Sequence, residues 1–479
     1  MSKDFYITTT LPYVNAEPHV GFAMEIIRAD VIARYKRSKG FDVFFNTGTD
    51  EHGMKLFEGA KKEGKPTQEY VDFYAEKFKG LIKLLGISED VHFIRTTDPQ
   101  HEKAAQEFWK KVYDNGYIYK KNYKTKYCVG CEEEKTDSVL VDGRCPIHPN
   151  LILEIIEEEN YFFKFSEFGK RLLAFYDKNP DFVIPDFRFN EMKEFVKRGL
   201  EDFSISRLKT KMPWGIEVPN DPDHVIYVWF DALISYISTL GWPDNKENFE
   251  KFWKNGTPVQ YCGKDNTRFQ SVMWQSMLMA AGLPNSNTIV IDGFLTGEGG
   301  VKMSKSLGNV TSPYDIVNEY GTEALRYFLL KEVSPFEDSP FTIERFKDSY
   351  NSGLANGIGN LTSRIMKMAE TNLAKAIEIP DESISQEYFD LLERFDIQGV
   401  CNIVWKKVSE LDSLIQEKQP FKLVKTDKQE GEKIIKELVV SLYKVAQMLD
   451  PILPETSMKI KVCVKENRSP SEPLFLRKD

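Results

Sequence analysis

Three stretches of the chain combine residue types at spacings that could do chemistry. Cys128-Val129-Gly130-Cys131 is followed by Cys145-Pro146-Ile147-His148, giving the pattern C-x2-C-x13-C-x2-H. Two ligand pairs on tight turns are the arrangement of a tetrahedral structural zinc knuckle. Between Gly297 and Asn309, glycines flank Lys302, Ser304, Lys305 and Ser306. A pliant loop that offers two ammonium groups and two hydroxyls suits the oxygens of a polyphosphate. Finally, His19 and Gly21 stand where the apolar, β-branched run Phe5 to Thr10 has been broken at Pro12 and Pro18 and a helical pattern begins. A strand that hands over to a helix would aim free backbone N–H groups at a phosphate.

The elements that must position these groups follow from periodicity. Val20, Ala23, Ile26, Ile27, Val31 and Tyr35 keep a helical spacing, with Pro18 expected in the first turn. Asp42 to Asn46 reads as a second, buried strand ending in the polar loop Thr47 to Gly53. His224 to Phe230 reads as a strand that enters a helix at Asp231, and Thr257 to Asp265 and Thr288 to Asp292 as further strands. This alternation predicts an α/β fold, a doubly wound parallel sheet of Rossmann type, whose ligands gather at the carboxyl ends of strands. The sheet is expected to be split by the knuckle-bearing insertion and followed by a C-terminal α-helical bundle, marked by the stripe Ile435, Leu438, Val439, Leu442, Val445 and Leu449. The expected organisation is a first sheet half at 1–116, the insertion at 117–222, a second sheet half at 223–296, the lysine loop and a stem-contact region at 297–349, and the helical domain at 350–479.

With 479 residues and a net charge of −9, the chain is no globally basic nucleic-acid binder, so any such contact must use local patches. Its six cysteines do not suggest a disulfide framework in a chain of this size. The sequence shows neither a cleavable leader nor a run of roughly 18 apolar residues, and a cytoplasmic protein is expected.

Pro18-His19-Val20-Gly21 and the distant Lys302-Met303-Ser304-Lys305-Ser306 resemble the paired HIGH and KMSKS signatures of class I aminoacyl-tRNA synthetases. Leu11 to Asn15, Thr49 to Gly53, Ile205-Ser206-Arg207 and Val228 to Leu233 are similar to the methionyl-tRNA synthetase family, and the similarity runs over essentially the whole chain. The resemblance implies a ligase that converts methionine and ATP to methionyl-adenylate and pyrophosphate, then passes methionine to the 3′ end of its tRNA. It implies Mg²⁺ on the phosphates and a structural Zn²⁺ on Cys128, Cys131, Cys145 and His148. His19, Lys302, Lys305 and Arg207 would be catalytic. Pro18, Gly21, Lys264, Asp265 and Ser304 would join His19 and the two lysines around ATP. Asp50 would take the methionine ammonium group, with Leu11, Tyr13, Trp229, Ala232, Leu233, Tyr236 and Gln270 forming the rest of the pocket. Aromatic walls with few polar contacts suit a polarizable thioether. In the helical tail, Asn360, Arg364 and Phe421 would read the tRNA anticodon, the aromatic ring by stacking on an unpaired base.

The chain departs from the family pattern at four positions. Phe22 fills the last place of HIGH, Gln270 follows Phe269 where a histidine is frequent, Asp292 replaces another frequent histidine, and Phe421 stands for a common tryptophan. Because Phe22 offers no hydrogen bond, more of the phosphate stabilisation is expected from Lys302 and Lys305. The insertion is too short for a hydrolytic editing domain, and a monomer is expected. Two other readings stay open: the same chemistry with another amino acid, and a synthetase-like protein that binds tRNA or nucleotide without activation. Trp229, Tyr236 and the short insertion oppose the first, the intact lysine loop the second.

Overall fold

The structure, a computed structural model, describes residues 3–135, 139–297, 300, 311–380 and 383–478. It divides into two compact units, one of Met1–Pro18, Gly40–Ile82 and Glu89–Ile291, the other of His19–Lys39, Lys83–Ser88 and Asp292–Asp479.

The strands of the first unit are β1 (Asp4–Thr8), β2 (Asp42–Thr49), β3 (His92–Arg95), β4 (Ile118–Cys128), β5 (Glu133–Lys135), β6 (Glu154–Phe163), β7 (Val183–Ile184), β8 (Phe203–Ser204), β9 (Ser206–Leu208), β10 (Glu217–Val218), β11 (Asp221–Ile226), β12 (Thr257–Gly263) and β13 (Thr288–Asp292). Six of them form one sheet in the order β3-β2-β1-β12-β13-β7. β1 pairs in parallel with β2 and β12, β2 with β3, and β13 with β7. Tyr6, Ile7, Phe45, Val259, Ile289 and Val290 on these strands are buried, the near-continuous apolar filling that a sheet covered on both faces demands. The parallel α/β sheet expected from the sequence is therefore present.

Two features differ from the sequence expectation. The strand expected over His224 to Phe230 ends at Ile226, and β11 pairs antiparallel with β9 and β10 in a separate sheet. Val228–Ala232 is instead a helical turn, opened where the backbone N–H groups of Phe230 and Asp231 bond to the Tyr227 carbonyl. A run that is apolar throughout does not by itself distinguish the two periods. In addition β7, only two residues long, comes from within the stretch expected as insertion and completes the sheet edge. The rest of that stretch is dominated by the antiparallel pair β4 and β6, which runs from Ile118 opposite Phe163 to Tyr127 opposite Glu154.

The second unit gathers helix α1 (Val20–Ser38) with the helices from Pro313–Tyr320 to Pro454–Glu466. The N-cap of α1 is His19, so Pro18 lies before the helix and not in its first turn. Buried charge fixes α1 in this unit. Arg28, 1% exposed, donates to the carbonyls of Leu329, Val333, Ser334 and Pro335 and pairs with Asp292. Asp30 pairs with Arg34 and with the fully buried Arg326 at 3.0 Å. Each of these charges would be costly to bury alone. The expected stripe from Ile435 to Leu449 is buried along the helix Lys428–Leu449. Among the described residues no helix is long and apolar enough to cross a membrane.

Candidate active site and metal centre

β2, β1 and β12 are neighbours in the parallel sheet, and the segments after their carboxyl ends carry Leu11, Tyr13, Asp50 and Gln270 of the expected pocket. Tyr13 and Asp50 form a bridge between the loops after β1 and β2: the Asp50 N–H donates to Pro12 and the Val14 N–H to Asp50. Asp50 is 3% exposed, and its Oδ1 has no hydrogen-bond partner; nor have the Tyr13 hydroxyl and Trp229 Nε1. Burial and the nearby carboxylates of Asp231, Glu51 and Glu132 push Asp50 well above the usual carboxylate range. Burial and the Asp50 charge likewise push the Tyr13 hydroxyl up.

The pocket wall comes from the helical turns Val228–Ala232 and Ser235–Ser238 and the turn Phe269–Met273. Trp229 stacks on Phe269 with ring centres 3.9 Å apart. Ala232, Leu233, Tyr236 and Leu11 are buried. Gln270 is fully buried; its amide donates to the Tyr236 hydroxyl and accepts from Gln260 at 2.7 Å. In this chain Gln270 thus fixes Tyr236. Arg207 is buried too, its guanidinium 5.0 and 4.8 Å from the ring centres of Tyr127 and Tyr227, donating to Ser204 Oγ and the Ser206 carbonyl. Lys264 and Asp265 lie on the turn that follows β12, and Pro18 is buried at the end of the loop after β1.

Two histidines that the sequence reading did not single out complete this region. Asp231 accepts from His52 Nδ1 at 2.7 Å and from His101 Nε2 at 2.6 Å, while His101 Nδ1 lies 2.9 Å from Ser238 Oγ. Burial pushes Asp231 up, but the two imidazoles outweigh it and hold the carboxyl below its usual range. Asp50 and Asp231 are thus buried carboxylates in opposite conditions. Glu132 was missed as well: it reads as part of a solvated acidic run, yet it is fully buried.

At the start of α1 the structure corrects one expectation. The backbone N–H groups there are not free for phosphate: Gly21 donates to His19 Nδ1 at 3.1 Å, Val20 to the Thr311 carbonyl at 3.1 Å, and Phe22 and Ala23 to the His19 carbonyl. A helix start satisfies its orphan donors where it can, and here a capping side chain and a neighbouring carbonyl do so. With Nδ1 accepting, the neutral His19 ring carries its proton on Nε2. A Cβ on residue 21 would lie 2.8 Å from His19 Cε1, so glycine is required for the ring to fold back as a cap. Phe22 packs its ring 4.3 Å from that of His19. Asp292, 2% exposed, lies 3.1 Å from Arg28; burial pushes it up to about 6 although Arg28 pulls the other way. Lys302, Ser304 and Lys305 lie outside the described residues.

The expected metal ligands do converge. One donor atom each from Cys128, Cys131, Cys145 and His148 all lie within 4.8 Å of one another. Cys131 Sγ is 3.5 Å from Cys145 Sγ and 3.2 Å from His148 Nδ1, and Cys128 Sγ is 3.8 Å from the same nitrogen. A zinc tetrahedron has edges of about 3.8 Å, so three thiolates and an imidazole in this arrangement fit the ion. A Cβ on residue 130 would meet the His148 ring at 2.6 Å, so glycine lets the imidazole close over the C-x2-C turn. In the helical unit, Arg364 and Phe421 line one surface cavity of about 580 Å³ with Lys367 and Met368. Phe421 is 43% exposed and Arg364 pairs with Asp412, whereas the exposed Asn360 is not among the residues that line this cavity.

Comparison with known proteins places the chain in a family. The family model described as tRNA synthetases class I (M) matches residues 5–151 and 152–366. The chain is 41% identical over 476 residues to the methionine–tRNA ligase of Caldanaerobacter subterraneus subsp. tengcongensis, covering 96% of this chain and 74% of that one. To the methionine–tRNA ligase of Thermotoga maritima it is 40% identical over 485 residues, covering 98% and 76%. The crystal structure of Mycobacterium tuberculosis methionyl-tRNA synthetase bound by methionyl-adenylate matches with a TM-score of 0.90 at 34% identity, covering 99% of this chain and 100% of that one. With a family match over well more than half its length and relatives near 40% identity along almost all of it, the chain belongs to the methionyl-tRNA synthetases of class I.

Proposed function

We propose that the chain activates methionine with ATP and transfers it to tRNA, and that the residues above divide the work as follows. The observation that carries the pocket assignment is Asp50, a buried carboxylate with an unpartnered oxygen at the carboxyl end of β2. A buried carboxylate without a cation is expensive, and an incoming ammonium group supplies the missing charge. Tyr13 and Trp229 present further polar atoms, and the stacked Trp229 and Phe269, with Leu11, Ala232, Leu233 and Tyr236, give the thioether apolar and aromatic walls.

The methionine carboxylate oxygen then forms a bond to the α-phosphorus of ATP while the bond to the leaving pyrophosphate breaks. Positioning and neutralisation of phosphate charge lower this barrier. His19 would donate Nε2–H to a phosphate oxygen, its ring held by Gly21 and Phe22. Lys302 and Lys305 would neutralise the leaving pyrophosphate, Ser304 would add a hydroxyl donor, and Lys264, Asp265 and Pro18 would border the nucleotide. Mg²⁺ bound with ATP would supply further offset of the phosphate charge. Arg207 would act from beneath, through Tyr127 and Tyr227. Cys128, Cys131, Cys145 and His148 would hold a structural Zn²⁺ that braces the turn between β4 and β5. Arg364, Phe421 and Asn360 would meet the anticodon.

Amino-acid-dependent exchange of pyrophosphate into ATP, run across the twenty amino acids with Mg²⁺, tests the reading. Exchange with methionine alone is expected. Exchange with a different amino acid would reassign the pocket, and no exchange at all would leave a binding protein.

A further inference from the structure

We propose that Glu132 is a positioning residue that ties the metal knuckle to the methionine pocket by holding the loop that carries Asp50; the inference rests on the pocket assignment above. Glu132 directly follows Cys131, is fully buried, and takes a φ of +53°. That left-handed conformation is unfavourable for a non-glycine residue, so something must hold it there. Three bonds do. Oε1 accepts the backbone N–H of Lys55, Oε2 accepts the hydroxyl of Tyr127, and the Glu132 carbonyl accepts the hydroxyl of Tyr227.

The bond to Lys55 decides the role. Helix α2 (Met54–Lys62) follows the Asp50 loop, and its N-cap, Gly53, supplies no side-chain hydrogen bond. Glu132 therefore performs from a distant segment the task that a capping side chain performs locally, taking an orphan N–H of the first turn. A Cβ on residue 53 would lie 3.3 Å from Oε1, tighter than an ordinary contact, so Gly53 leaves room for the carboxylate. On its other side Glu132 is bound to Tyr127, the residue before Cys128. Glu132 and Tyr127 thus bracket the C-x2-C turn and connect it to the three residues Asp50, Glu51 and His52 that precede the cap. Two donors converge on two oxygens, a demand that a carboxylate meets and an amide, with one oxygen, meets by half. The charge of Glu132 also acts on Tyr13 and Asp50, consistent with its place at the pocket.

The test compares Glu132→Ala and Glu132→Gln with the wild type for methionine dissociation constant without ATP, KM for methionine and for ATP, bound metal, and hydrogen exchange at the Lys55 amide. Glu132→Ala should weaken methionine binding ~10–100-fold, as outer residues that orient a site do. The KM for ATP and the metal content should stay unchanged, and Lys55 should lose protection. Glu132→Gln should fall between the two and keeps the test alive if the alanine variant does not fold. Stripping the metal from the wild type with a chelator should weaken methionine binding too, but add less than about twofold in Glu132→Ala, because both changes cut one link. Methionine binding within twofold of wild type in both variants, or effects of chelation and substitution that multiply, would overturn the inference. A wild type that neither binds methionine nor supports exchange with it would instead overturn the pocket assignment.

Discussion

Around Asp50, three buried polar atoms stand without partners, whereas at the start of α1 every backbone donor of the first turn is already taken. Each unpartnered buried group costs about 1–3 kcal/mol, and such a cost persists where a ligand brings the complementary groups. The proposed amino-acid pocket therefore has the character of a recognition site: its open valences would match an amine and polar atoms, and its walls the apolar remainder. The α1 start is built to support. Its donors are spent on His19 and on the Thr311 carbonyl, so under the proposed function the charge on a phosphate would be met by side chains, His19 Nε2–H and the sequence-predicted Lys302 and Lys305. The departure at Phe22 fits this division, because its ring packs 4.3 Å from that of His19 and restrains it.

The largest effect is expected where the open valence is charged. Asp50→Asn keeps the shape of the pocket and removes the partner of the ammonium group. Truncating one side of a buried charge pair costs several kcal/mol, so the KM for methionine in pyrophosphate exchange should rise ~10³-fold with little change in the KM for ATP. The pH dependence sharpens the point. Burial and Asp231 raise the Asp50 pKa, and only the ionised carboxyl binds an ammonium group strongly. Methionine affinity of the wild type should thus be full above that raised pKa and fall as pH drops through it. Asp50→Asn should lack this dependence. If the asparagine variant binds methionine as the wild type does, the open valence is not the recognition element.

A second comparison separates the two jobs of His19. Asparagine is a good N-cap residue, so His19→Asn should still take the Gly21 N–H but lacks a donor at the position of Nε2. Exchange should slow ~10²-fold, the usual loss of one oriented donor, with thermal stability nearly intact. His19→Ala should lose the same rate and a further cap contribution of about 1 kcal/mol in stability. Equal rates in wild type and asparagine variant would reduce His19 to a cap.

What could be read from the chain alone follows the distance over which each feature is encoded. The metal cluster was legible because its ligands come in two local pairs, and the spacing is the geometry. Tyr13 and Asp50 were named through the family resemblance, and their meeting in the structure follows from the parallel pairing of β1 and β2, which brings the loops after both strands together. Trp229 was placed on a strand because the run His224 to Phe230 carries no period, whereas its proposed place in the pocket comes from the family resemblance. The Asp231 pair with His52 and His101 joins three distant segments, and no local pattern announces such a union. Glu132 was hidden for another reason. Three consecutive glutamates look like a solvated face, and only a fold that brings Lys55 and Tyr127 to the first of them makes it an interior residue. The capping of α1 by His19 was not legible, because histidine is not an ordinary N-cap residue and nothing in the spacing of His19 and Gly21 separates a capping ring from one facing a ligand.

The smallest effect tests the supporting unit through its own buried carboxylate. Asp292 differs from Asp50 in having a cation, Arg28, 3.1 Å away, yet burial still lifts it from 3.8 to about 6. An acid with a raised pKa is favoured in its neutral form by the fold. The folded protein therefore holds the proton between pH 4 and 6 while the unfolded chain has released it, and stability declines as pH rises through this window. Between pH 4.5 and 7.5 the decline due to this one group is about 2 kcal/mol. Asp292→Asn cannot titrate. Its unfolding free energy, measured by urea denaturation and taken relative to wild type, should therefore climb by about that amount across the window and level off above pH 7. Many groups titrate over this range, but the difference between the two proteins isolates this one. A flat difference would mean that the Arg28 guanidinium fully offsets the cost of burying Asp292, and that a buried carboxylate in this protein keeps a raised pKa only where, as at Asp50, no cation among the described residues faces it.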